Sequence, residues 1–179
     1  MSIQLKDPLL AIAKVLLWFL MGVMALAVAA CLIAIPIILF NQDRVSIELA
    51  EEGLRAASGD VIGALLILLA CAAILVGMLF YVFRLLKHIV DTVGEGDPFV
   101  PENAARLTRM AWLTLGVQVV TIPLAALGLW LSSAMEEDGT TFTVETISGN
   151  GLLLVLILFI LARVFREGAR MREELEGTV

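Results

Sequence analysis

The chain has 179 residues, 60% of them hydrophobic and 17% charged, with a mean hydropathy of +0.99. A soluble domain of this length cannot hide so much apolar surface in one core, whereas a bilayer accepts it. The formal charge of −6 and the isoelectric point near 4.8 exclude the basic face of a direct nucleic-acid binder.

Residues 9–40 form the first apolar run, interrupted only by Lys14. Its uncharged part, 15–40, would be about 39 Å long as a helix against a hydrocarbon core of about 30 Å, which predicts tilt or a bend near Pro36. Val28-Ala29-Ala30-Cys31 has the look of a lipoprotein cleavage box, but the chain stays apolar to Phe40, so a retained span is expected rather than a processed leader. Cys31 and Cys71 both sit inside apolar runs and read as small buried thiols.

The segment 41–60 is polar and acidic, with Asp43, Glu48, Glu51, Glu52 and Asp60 against Arg44 and Arg55. Within it, 45–49 alternates with period two, a strand signal, and 50–57 reads as a short helix. The second apolar run, 61–83, continues past Arg84 as an amphipathic extension to about Val93, where Gly94 can end it. Next comes Gly94-Glu95-Gly96-Asp97-Pro98-Phe99, which breaks the helix. A new helix is expected from Pro101, favoured in a first turn, with Glu102 at its positive end, running directly into the third span. Trp112 and Trp130 lie about 27 Å apart along that helix, and Trp18 lies near Lys14; all three read as interfacial anchors.

The second acidic loop, 132–150, contains Glu136, Glu137, Asp138 and Glu145 and no basic residue. Its stretch 141–146 alternates again and is a candidate partner for 45–49 in a two-stranded cap. The last span starts near Ile147 or Gly151 and runs to about Phe165, with Arg163 snorkelling to the interface. The fold expected is therefore an all-α membrane protein, a four-transmembrane-helix bundle in a single domain. Its spans fall at about 12–40, 61–86, 104–131 and 147–168. Short acidic outer loops at 41–60 and 132–150 carry a small two-stranded β cap. A cytoplasmic connector spans 87–103, and a cytoplasmic helical tail 166–179.

Four spans place both termini on one side, so the basic residues can be sorted. Ten fall with the termini and the connector: Lys6, Lys14, Arg84, Lys87, Arg106, Arg109, Arg163, Arg166, Arg170 and Arg172. Arg44 and Arg55 fall opposite. The positive-inside rule makes the first side cytoplasmic.

The motifs Gly96-Asp97-Pro98-Phe99 with Glu102-Asn103 and Arg106-Leu107, and Phe165-Arg166-Glu167-Gly168-Ala169 with Glu173-Glu174-Leu175 and Thr178-Val179, resemble a known family. This is the group of small bacterial four-helix membrane proteins catalogued as domain of unknown function 2975. The number and spacing of apolar runs agree over nearly the whole chain. The resemblance implies a multi-pass protein of the bacterial cytoplasmic (inner) membrane without an assigned activity. Members are frequently encoded beside a small helix-turn-helix regulator, which implies such a regulator as a cytosolic partner.

No Ser/His pair, paired carboxylates at depth or metal-ligand spacing is present, so neither an enzyme nor a cofactor is expected. His88 and Asp91 share a helix face, an arrangement that at a helix end is usually solvated polarity rather than catalysis. Thr114, Gln118 and Thr121 share one face of the third span, as interhelical hydrogen bonds or as the wall of a polar path. Ala25 with Ala29, and Ala73 with Gly77, are small-residue pairs suited to close helix approach. On the cytosolic side Asp97, Pro98, Phe99, Glu102, Arg106, Arg166 and Arg170 form the expected partner-binding surface, while lipid headgroups are the ordinary occupants of such basic helix ends. Two function classes follow: a non-catalytic regulatory protein that engages a cytosolic partner, and an oligomeric small-solute transporter or channel subunit. A homo-oligomer fits either.

Overall fold

The computed structural model describes residues 8–51, 58–134 and 149–176. These residues form five helices: α1 (Pro8–Phe40), α2 (Gln42–Glu51), α3 (Ser58–Gly94), α4 (Pro101–Ala134) and α5 (Gly149–Glu176). Stretches within α1, α3 and α4, namely Pro8–Phe40, Gly59–Gly94 and Pro101–Leu131, are long and apolar enough to cross a membrane. Only Leu17 and Met21 of α1 are buried, and its outward face carries Leu9, Ile12, Trp18 and Phe19. In water that surface would be untenable; in lipid it is the favourable one. The same solvent explains why α1 and α4 run through Pro36 and Pro123, since spanning helices tolerate proline better than soluble ones do.

The expected β cap is corrected at its first strand. Residues 45–49 lie inside α2, and the other expected strand, 141–146, lies outside the described residues. Five residues are too few to separate period two from period 3.6, because Val45 and Leu49 also stand four apart on a helix. Local capping favours the helix. Asn41 closes α1 with its backbone N–H and its side-chain Nδ2, both donating to the carbonyl of Ile37 at 3.1 and 2.9 Å. Its own carbonyl then accepts the first helical bond of α2 from Val45, at 3.0 Å. Asp43 occupies the first turn of α2, where negative charge is favoured.

Contacts along the chain divide into two units. The first comprises α1 up to Met24, Met78–Gly116 and the chain from Gly149 onward. Its core is Leu85, Ile89, Leu107, Met110, Ala111, Leu158 and Ala162, drawn from α3, α4 and α5 and flanked by Val82, Phe159 and Phe165 among others. The second holds the rest of α1, α2, the start of α3 up to Gly77, and α4 from Val117. In that unit Cys31 and Cys71 are free, half-buried thiols. Among the described residues the small-residue contact expected at Gly77 is not formed: a Cβ added there would meet nothing of them within 4 Å.

Candidate functional site

The polar chemistry of the first unit gathers where α3 ends, α4 begins and α5 passes both. The end of α3 is built by backbone geometry. Gly96 has φ +88°, its N–H donates to Val93 O at 3.1 Å, and the N–H of Asp97 donates to Thr92 O at 3.1 Å. This pair of bonds around a left-handed glycine is the Schellman ending, so Gly96, rather than Gly94, terminates the helix. The chain then passes without regular structure through Pro98 and Phe99 and re-enters a helix at Pro101, with Asn103 N–H donating to Val100 O at 3.0 Å.

Asn103 holds this turn together. Its side chain is fully buried and is the one buried polar group among the described residues. Nδ2 donates to Thr92 Oγ1 at 2.7 Å and to the Pro98 carbonyl at 2.9 Å, while Oδ1 accepts from Arg106 at 2.7 Å. One amide thus ties the last turn of α3, the connector and the first turns of α4. The sequence carried a signal for it: Asn103 lies on the stripe it shares with Leu107, Met110 and Ala111, and a polar residue there must be satisfied internally.

From the other side α5 closes over the connector. Phe99 packs against Phe165 with ring centroids 5.3 Å apart, and its ring lies over Gly168, where an added Cβ would come within 2.6 Å of it. Arg172 pairs with Asp97. Of the residues expected to meet a partner, Asp97, Phe99 and Arg106 are therefore engaged within the chain itself, although Phe99 keeps 41% of its surface exposed. Arg170 is held by Glu167 at 2.7 Å and Glu174 at 3.5 Å. Pro98 is half-buried in the turn, and Glu102 and Arg166 are exposed.

A second polar cluster links α1 to α3. Asp91 accepts from Lys87 at 2.6 Å and pairs with Lys14 at 3.0 Å, and Lys87 Nζ also stands 5.5 Å from the centre of the Trp18 ring. Asp91 lies beyond the uncharged stretch 61–83, in the helical extension. Burial raises its carboxyl, but hydrogen bonds and charge from Lys87 and Lys14 outweigh that and hold it below the ordinary carboxylate range. The helical spacing of His88 and Asp91 suggested a pair; the carboxylate instead spends itself on the two lysines, and His88 is exposed. Lys14 missed recognition as its partner because the contact joins residues 77 positions apart, beyond what a local pattern reports.

The membrane-level candidates are also resolved in part. Thr114 Oγ1 donates to Met110 O at 2.9 Å and Thr121 Oγ1 to Val117 O at 2.8 Å, each within α4. Both hydroxyl protons serve the helix itself and not a neighbouring helix, as threonine commonly does in an apolar surrounding. Gln118 is half-buried. Among the described residues, no group of three or more His, Cys, Asp or Glu side chains is placed to hold a metal ion.

Among the described residues, apolar helices of spanning length, joined to an interlocked polar junction where α3, α4 and α5 meet, mark a helical membrane protein. A family model described as "Protein of unknown function (DUF2975)" matches residues 45–179, and the chain belongs to that family. No curated protein and no solved structure matches it.

Proposed function

We propose that the chain is a four-span protein of the bacterial cytoplasmic membrane with both termini inside. In this reading it is non-catalytic and uses its connector–tail junction to engage a cytosolic partner, such as a small helix-turn-helix regulator. Orientation is supported by the ten-to-two distribution of basic residues. The fourth span is α5, whose uncharged part, 149–162, is shorter than the others and is extended at the interface by the long stem of Arg163.

The observation that carries the functional reading is where ordered polarity lies. Asp97, Phe99 and Arg172, held from beneath by the buried Asn103, build a defined surface at one end, whereas Thr114 and Thr121 turn their hydroxyls back on α4. A solute path needs polar groups offered to the solute; a docking platform needs a rigid end face. Beside the junction, Pro101, Ala104, Ala105, Arg166, Ala169, Arg170 and Glu173 line a groove of about 340 Å³ that mixes apolar floor with both charges. A partner helix with an apolar stripe flanked by charges matches it. Co-purification in mild detergent of the tagged full-length chain with the product of the neighbouring regulator gene tests this. Retention that is lost in Ala105→Glu supports the reading, and a regulator that never co-purifies overturns it.

A further inference from the structure

Nearer the apolar end of the same two helices lies a second groove, of about 480 Å³, lined by Thr108 of α4 and by Phe159, Ala162, Arg163, Arg166 and Glu167 of α5. Phe159, Ala162, Arg163 and Arg166 stand at spacings of three, one and three, so they form a single stripe on α5 that changes from apolar to cationic over about 10 Å. That is the order met along a lipid from the glycerol end of its acyl chains to its phosphate. Beside the apolar end, Trp112 meets the Phe159 ring edge-on, with centroids 5.6 Å apart at 84°, and remains 61% exposed. An exposed tryptophan of a spanning helix marks headgroup depth.

The charges are arranged to match. Arg163 and Arg166 have no acidic partner among the described residues. Glu167, the one carboxylate in the groove, is already neutralised by Arg170 at 2.7 Å. Two open guanidiniums, each with a planar fork of donors, therefore face a site with net positive charge, the arrangement that binds phosphate oxygens bidentately. Thr108 is spent on Ala104 O at 2.9 Å and contributes shape rather than a donor.

We propose that this groove binds an anionic glycerophospholipid, with its phosphate held between Arg163 and Arg166 and an acyl chain laid along Phe159 and Trp112. The inference rests on α5 crossing the bilayer, and protease protection of the tail in membrane vesicles reads that separately. Delipidated full-length protein in detergent is titrated with phosphatidylglycerol, and bound lipid is counted by native mass spectrometry. Phosphatidylethanolamine of the same acyl chains and glycerol phosphate serve as comparisons. Phosphatidylglycerol is expected to bind best, and Arg163→Gln with Arg166→Gln to weaken it about tenfold or more. Arg84→Gln, an exposed arginine on α3, leaves binding unchanged. The single charge reversal Arg163→Glu, at a position outside the core, should act in the same direction as the double variant. An equal loss in Arg84→Gln would reduce the effect to diffuse charge and overturn the site. Equal binding of phosphatidylethanolamine would overturn it too, as would glycerol phosphate competing as well as the lipid. Full retention of phosphatidylglycerol by the double variant, inserted with its tail protected as in the wild type, would remove the lipid site and leave the span assignment intact.

Discussion

Asn103→Ala puts the organising role of one amide at risk. The substitution removes three hydrogen bonds from a side chain with no exposed surface. Their losses are unequal. Thr92 Oγ1 keeps its own bond to Ile89 O at 2.8 Å, and Arg106 is only half-buried and can turn to water, so each of these costs about 1 kcal/mol. The Pro98 carbonyl loses its side-chain donor inside a turn, and an acceptor stranded in that way adds about 1 kcal/mol or more. The total is about 3 kcal/mol. Asn103→Asp separates this account from simple loss of volume. A carboxylate keeps the Arg106 contact but turns a second oxygen toward the Pro98 carbonyl, where attraction becomes repulsion, and toward Thr92 Oγ1, whose proton reaches it only by giving up the Ile89 carbonyl. The aspartate variant should be no more stable than the alanine variant. Reversible unfolding in mixed detergent followed by far-ultraviolet circular dichroism measures both. An alanine variant within about 0.5 kcal/mol of the wild type would refute the reasoning, as would an aspartate variant clearly more stable than alanine.

Three further outcomes are expected. Gly168→Ala forces the Phe99 ring aside and costs about 1 kcal/mol net, overpacking offset by better helix propensity; in a Phe99→Ala background the same change becomes neutral or stabilising, and a thermodynamic cycle reads the reversal. Because the folded-state pKa of Asp91 is depressed, its contribution is present above the unfolded value of about 3.9 and is lost as pH falls through the lower folded value; stability measured from pH 6 to pH 3 should fall less steeply in Asp91→Asn than in the wild type. Glu95→Cys, at an exposed connector position in a background with Cys31→Ala and Cys71→Ala, should resist a membrane-impermeant maleimide added outside intact cells and react once the cells are opened; labelling from outside would invert the topology.

Helix positions were legible because lipid imposes length and composition on whole segments at once. The apolar runs, the restart at Pro101 and the glycines after Val93 each carry a local signal strong enough to stand alone. The stretch 45–49 carried a weak one, and the capping of Asn41 and Asp43 decided it in favour of α2. Site residues divide along the same line. Phe99, Asp97 and Arg106 could be named from a turn rich in polar residues, but not their partners Phe165, Arg172 and Asn103. The bond from Arg172 to Asp97 crosses 75 positions, and no periodicity encodes it.

That division bears on what the junction is for. In isolation Asp97 and Phe99 look like an exposed recognition loop; in the fold they are the underside of a clasp between the connector and α5. In the docking reading proposed above, a partner would meet the surface they organise: the outer edge of Phe99, Glu102 and the groove between α4 and α5. If so, Asp97→Ala should impair partner binding only as far as it loosens α5, and restoring the ion pair with reversed charges, Asp97→Arg with Arg172→Asp, should restore binding together with stability. A reversed pair that regains stability but not binding would instead make Asp97 a direct contact.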